Sequence, residues 1–128
     1  MTTIQIGKII TSLLKANTSL VALVGNRIFP LVAKEGTTFP FVVYRRTSVS
    51  PQYCKDGRAS ETASVDIVVA SNTYTSSIEV ADLVREALDC KAAVYQERVT
   101  VRNIEMVTAQ EDYLDETYIQ TLNFNFTI

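Results

Sequence analysis

The chain has 128 residues, 47% hydrophobic and 20% charged, with a formal net charge of −2. That balance fits one globular domain over residues 1–128, excludes a disordered polymer, and gives no sign of a protein that wraps nucleic acid. There is no histidine, which removes Ser-His, Cys-His and histidine–metal chemistry together.

The first segment, "MTTIQIGKIITSLLKANTS", superficially resembles a secretory leader because "IITSLL" is apolar. Its basic residue, Lys8, lies inside the segment, and no small-residue cleavage site follows. An amphipathic helix explains it better: Ile6, Ile9, Ile10, Leu13 and Leu14 recur at helical spacing between Thr3 and Ala16. Asn17–Ser19 supplies capping side chains, and "LVALVG" reads as one further helical turn closed by Gly25. "RIFPLV" is a short strand that should lie at a sheet edge or stop at Pro30, which would leave a gap in a ladder. A second strand, "FVVYRRTSV", opens after Pro40. A polar connection, Thr47–Ser60, follows, and it is long for a loop in so small a domain.

"ETASVDIVVAS" alternates Ala63, Val65, Ile67 and Val69 against Thr62, Ser64, Asp66 and Val68, a half-buried strand antiparallel to its predecessor. "SIEVADLVREALD" places Ile78, Val80, Ala81, Val84, Ala87 and Leu88 on one stripe of a second helix, with Ser76 or Ser77 as its N-cap. "RVTVRNIEMVTA" reads as a strand, "QEDYLDET" as an acidic interruption, and "YIQTLNFNFTI" as the clearest alternation in the chain. The expected fold is α+β: a mostly antiparallel sheet of about five strands, two amphipathic helices on one face, and a long loop between strands two and three. Polar residues of the other face, among them Asp66, Asn123, Asn125 and Thr127, are free to meet water or another subunit.

No apolar run approaches the roughly 18–20 residues that span a bilayer, and folding in cytoplasm without membrane contact is expected. Cys54 and Cys90 make neither a disulfide framework nor a zinc site. They read as reduced, with Cys90 buried and Cys54 on the loop. The isolated glycines form no phosphate-binding motif, and no cofactor or metal is expected. Glu111, Asp112, Asp115 and Glu116 lack calcium-loop spacing and read as a solvated hairpin tip or a partner contact. Arg45, Arg46, Lys55 and Arg58 could touch phosphates, but they lack the aromatic spacing of a nucleic-acid platform and read as solvated loop charges before a DNA contact; with Tyr53 they are the candidate interface under the family resemblance given below. No catalytic machinery is visible.

The run "LVALVGNRIFPLVAKEGTTFPFVVYRR" after an amphipathic helix resembles the phage tail-completion and tail-terminator proteins of siphophage-like viruses and prophages. Their pattern is "L-x-x-L-V-G-x-R-I-[FY]-P", then "[LF]-P-[FY]-[VI]-V-Y", a long polar loop and an alternating strand. A helix like "IEVADLVREAL" and a β-rich end such as "TLNFNFTI" complete it. The order of elements covers nearly the whole chain, and the specific part is Leu20–Tyr44.

The resemblance implies a non-enzymatic virion protein at the tail–neck junction. It would form a ring, typically a hexamer, on the head-proximal end of the tail tube. The ring stops polymerisation, docks the head connector and lets DNA pass without specific binding. On this view Thr47–Ser60 reaches a neighbouring ring or tube subunit, and the acidic group either lines the lumen, repelling DNA, or meets a basic partner. Two other readings stay open: a different neck component (stopper, head-completion or minor tail protein), or a small-ligand-binding α+β module.

Overall fold

The computed structural model describes residues 3–55, 57–95 and 99–128. The chain begins with a 3₁₀ turn, Thr3–Gln5, and helix α1, Ile6–Ala16, whose Ile6, Ile9, Ile10 and Leu14 are buried as their spacing predicts. Asn17 ends α1 and starts α2, Thr18–Val24. Its extended backbone breaks the helix, and its side-chain Oδ1 accepts from the Leu20 amide at 3.0 Å. The two helix axes differ by 92°. Gly25, at φ 59°, closes α2 in a conformation that a Cβ disfavours.

Strand β1, Ile28–Pro30, runs parallel to β2, Phe41–Cys54, and lies at the sheet edge where Pro30 can be tolerated. Arg27 ties the end of the intervening loop to α2, donating from Nε to the Pro40 carbonyl at 3.0 Å and from Nη2 to the Leu23 carbonyl at 3.1 Å. The Phe39–Pro40 peptide bond is cis. Strand β3 covers Gly57–Ser71, helix α3 Tyr74–Leu88, and β4 (Ala93–Tyr95) pairs antiparallel with β5 (Val99–Val101). The last two strands, β6 (Asn103–Leu114) and β7 (Thr117–Thr127), complete the main sheet in the order β1–β2–β3–β7–β6.

The α+β expectation holds, with two refinements: the β1–β2 pair makes the sheet mixed, and α2 makes three α-helices among the described residues. The helices cover one face. Against them lie Val42, Ala63, Val65, Ile67, Val69, Leu122, Phe124 and Phe126, all buried. Cross-strand register puts Val65 beside Phe124 and Ala63 beside Phe126, so the alternating apolar sets of β3 and β7 form one surface. Its other face carries Ser64, Asp66, Asn123 and Asn125. There the Asn123 Nδ2 donates to Asp66 Oδ1 at 2.8 Å and to Ser64 Oγ at 3.1 Å.

Several expectations need correction. The Thr47–Ser60 connection is not a loop: β2 and β3 continue as a paired hairpin to Cys54 and Gly57. The described side chains of that hairpin are exposed or half-buried and lack the apolar alternation by which a strand is recognised. α3 is capped by Thr73, whose Oγ1 accepts from the Ser76 amide, not by Ser76 or Ser77. The earlier start turns Ser77 inward, where it is buried, and leaves Ile78 41% exposed. Finally, Cys90 is exposed in a left-handed turn after α3, and Cys54 ends β2; both are free thiols.

"QEDYLDET" is also mostly strand. β6 runs through Leu114, and only Asp115 and Glu116 form the turn, at φ 51° and 59°. A two-residue hairpin turn with both residues left-handed suits Asp and Gly but not Glu. Glu116→Gly is therefore expected to stabilise the protein by about 0.5–1 kcal/mol in urea unfolding; an unchanged or lower midpoint would show that the Glu116 side chain offsets its backbone strain.

Candidate assembly surfaces

Two exposed regions hold the charged residues singled out above, and the sheet places them at opposite ends of its strands. The first is the distal β2–β3 hairpin. The last β3–β7 pair is Thr62 with Thr127, whereas β2–β3 pairing continues outward to Cys54 and Gly57. Beyond that level the hairpin has no third strand and forms an arm. Tyr53 is 75% exposed on it, and Lys55 is exposed in its turn. Arg45 and Arg46 sit at its base, exposed. The Arg46 Nη1 donates to the Ile4 carbonyl at 2.6 Å, so that side chain is tied to the N-terminal turn, away from the arm tip. Arg58 lies on β3 in the arm, and its side chain is outside the described residues. The expected basic interface group thus divides into a base and a tip.

The second region is the β6–β7 hairpin with the start of α3. β6 is an edge strand, and residues 107–114 are all exposed. Strand pairing sets Glu111 opposite Gln120 and Tyr113 opposite Tyr118, on the face that α3 covers. Tyr74, the first residue of α3, lies over them. These residues and Asp112 line an open cleft of ≈ 270 Å³. Its aromatic wall is continuous: Tyr113 and Tyr118 have ring centroids 4.9 Å apart, and Tyr74 meets Tyr118 edge-on at 5.9 Å.

Glu111 is fixed within this cleft. Its Oε2 accepts from the Tyr74 hydroxyl at 2.9 Å and from Gln120 Nε2 at 3.1 Å. The Gln120 amide also donates to the Oγ of buried Ser77 at 3.3 Å, which anchors the arrangement to the core. The hydrogen bond to Glu111, with the charge of that carboxylate, raises the Tyr74 pKa above its ordinary 10.0. A raised folded-state value means that this contact contributes its stability below pH about 10 and loses it as pH rises through the higher value. Tyr74→Phe should therefore flatten the alkaline end of the stability–pH curve, measured by thermal unfolding from pH 8 to 11. An unchanged alkaline limb would contradict the contact.

Asp115 and Glu116 occupy the turn beyond the cleft and are exposed. The structure thus splits the acidic group: Glu111 and Asp112 line the cleft, the other two its outer rim. Among the described residues no group of three or more His, Cys, Asp or Glu side chains could hold a metal ion. The three tyrosines and Gln120 were missed by sequence reasoning. A signal was present, since Tyr113 and Tyr118 are equidistant from the Asp115–Glu116 turn and so must face each other once β6 is extended to Leu114.

The family model described as "Tail completion protein gp17" matches residues 8–128. The chain belongs to that tail completion protein family. A search of curated proteins gives no match. Among solved structures, this tail completion protein is similar to a chain in "Virion of native gene transfer agent (GTA) particle". The two are 19% identical, with a TM-score of 0.81 over 92% of this chain and 90% of the other. At that identity the likeness concerns the fold, so the arm and the cleft stand here on this chain's own residues.

Proposed function

We propose that this tail completion protein is a non-enzymatic virion subunit that closes into a ring of about six copies on the head-proximal end of a phage tail tube. The ring stops tube growth and offers its outer face to the head connector. The observation that carries the reading is family membership across residues 8–128, joined to a fold that resembles a component of a phage-like particle. The shape of the subunit supports it. A ring needs two different surfaces on each copy, complementary head to tail, that close after a fixed rotation. The arm and the cleft are two unlike surfaces at opposite ends of one sheet, which is what a head-to-tail contact would use.

The open sheet face supplies a further contact surface. Near the start of β2 it is apolar, with Phe39 stacked on Phe41 at 5.5 Å and with Val43 and Val68 paired across the strands. Toward the arm it is polar, through Ser64, Asp66, Asn123 and Asn125. Passing DNA needs no specific contact, and the net charge of −2 suits that role.

The direct test removes the coding sequence from its parent particle and images the products by electron microscopy. The reading expects tails of uncontrolled length that do not join heads, restored by supplying the protein in trans. Tails of normal length joined to heads would overturn it.

A further inference from the structure

We propose that the tyrosine-walled cleft beside Glu111 is a receptor for one cationic side chain, and that its occupant is Lys55 from the arm tip of a second copy of this chain. The inference rests on the homo-oligomeric part of the reading above.

The chemistry of the cleft selects a cation. Tyr74, Tyr113 and Tyr118 present aromatic surface, which attracts an ammonium or guanidinium group placed over it. Glu111 adds a full negative charge whose position is set in advance. Its Oε2 is held by two donors, while Oε1 has no partner among the described residues. A neutral or anionic ligand would forgo both features. The cleft is also open and ≈ 270 Å³ in volume, enough for the end of a side chain, whereas small-molecule sites are usually larger and enclosed.

Geometry selects the second copy. The arm turn, at Cys54–Gly57, precedes β3, and the cleft lies at the far end of β3, where Ser71 pairs with Tyr118. β3 has 15 residues, so at the usual strand rise the two sites are separated by roughly 50 Å. They cannot meet within one chain. Between copies they meet head to tail, the arrangement that closes rings. Charge agrees: exposed Lys55 marks one end and Glu111, Asp112, Asp115 and Glu116 the other. No hydrogen bond or ion pair engages Lys55 among the described residues. Its charge is therefore available to a partner.

The test is light scattering of the purified full chain over a range of concentrations, in low and in high salt. Four proteins are compared: wild type, Lys55→Glu, Glu111→Lys, and the double exchange. The wild type should assemble, and less readily in high salt. Each single reversal should raise the concentration for half-assembly at least about tenfold, and the double exchange should recover most of that loss. Because Glu111 also holds Tyr74 and Gln120, thermal unfolding of its variant is measured alongside; Lys55→Glu alters only an exposed turn.

Single variants that assemble like wild type would overturn the contact while leaving a ring built by other surfaces. Failure of the double exchange to recover would overturn the pairing, as would a wild type that stays monomeric throughout. Variants that assemble normally but no longer complete tails would assign the cleft to a cationic side chain of another protein and overturn the second-copy occupant. Normal tail length without this protein is the separate result that would remove the functional reading itself.

Discussion

Replacing residues 51–61 by Asn-Gly should leave a folded domain that no longer completes tails. Ser50 pairs with Thr62 in the native register, so a two-residue turn can join them without shifting either strand. The buried positions of β3 begin at Ala63, outside the deletion. What is removed is the arm, whose described residues are exposed or half-buried, together with the contacts of Glu61, among them its amide and carbonyl bonds to Ile128 at 3.4 and 2.9 Å. Losing a few such hydrogen bonds costs about 1–2 kcal/mol, a few degrees in Tm. Tail completion, scored as infectious or joined particles in a complementation assay, should fall to the level of the null. A shortened protein that still completes tails would show that the arm is dispensable and that the contact surface lies elsewhere.

The largest stability effect is expected at Phe124. Its side chain is fully buried at the centre of β7, with Val65 across one strand interface and Met106 across the other. Phe124→Ala deletes the ring from a site hemmed by strands on both sides, which limits collapse of the space left behind. A loss of about 3–5 kcal/mol follows, a large share of the 5–15 kcal/mol typical of a whole domain. Urea unfolding should show a much lower midpoint at an unchanged slope. A loss under about 1 kcal/mol would contradict the placement of this residue in the core.

How much of this was legible in the sequence depended on whether an element has one wet face. α1 and the strands carrying Val65, Ile67, Leu122 and Phe124 bury one side only, so their period was readable. α3 was readable too, although its start was not, because Thr73, Ser76 and Ser77 can each cap and only packing chose Thr73. The described residues of the arm and the outer half of β6 are exposed or half-buried, and no hydrophobic period marks them. Topology was hidden for a different reason. The alternation in β7 says which residues face the core, but not that β7 lies between β3 and β6. The charged groups were visible as composition, yet their division into an arm base, an arm tip and a cleft depended on strand register. Gln96, Glu97 and Arg98 lie outside the described residues.

The function proposed above rests on one claim, that the protein ends a growing tube. The most direct test is to polymerise purified tube protein of the parent particle in vitro, with and without this chain, and to measure tube lengths and ends by electron microscopy. The account predicts short tubes, each closed at one end by a ring of this protein, with elongation stopped at that end. Tubes of the same length distribution in both samples, with no added density at either end, would contradict it and move the protein elsewhere in the head–tail neck.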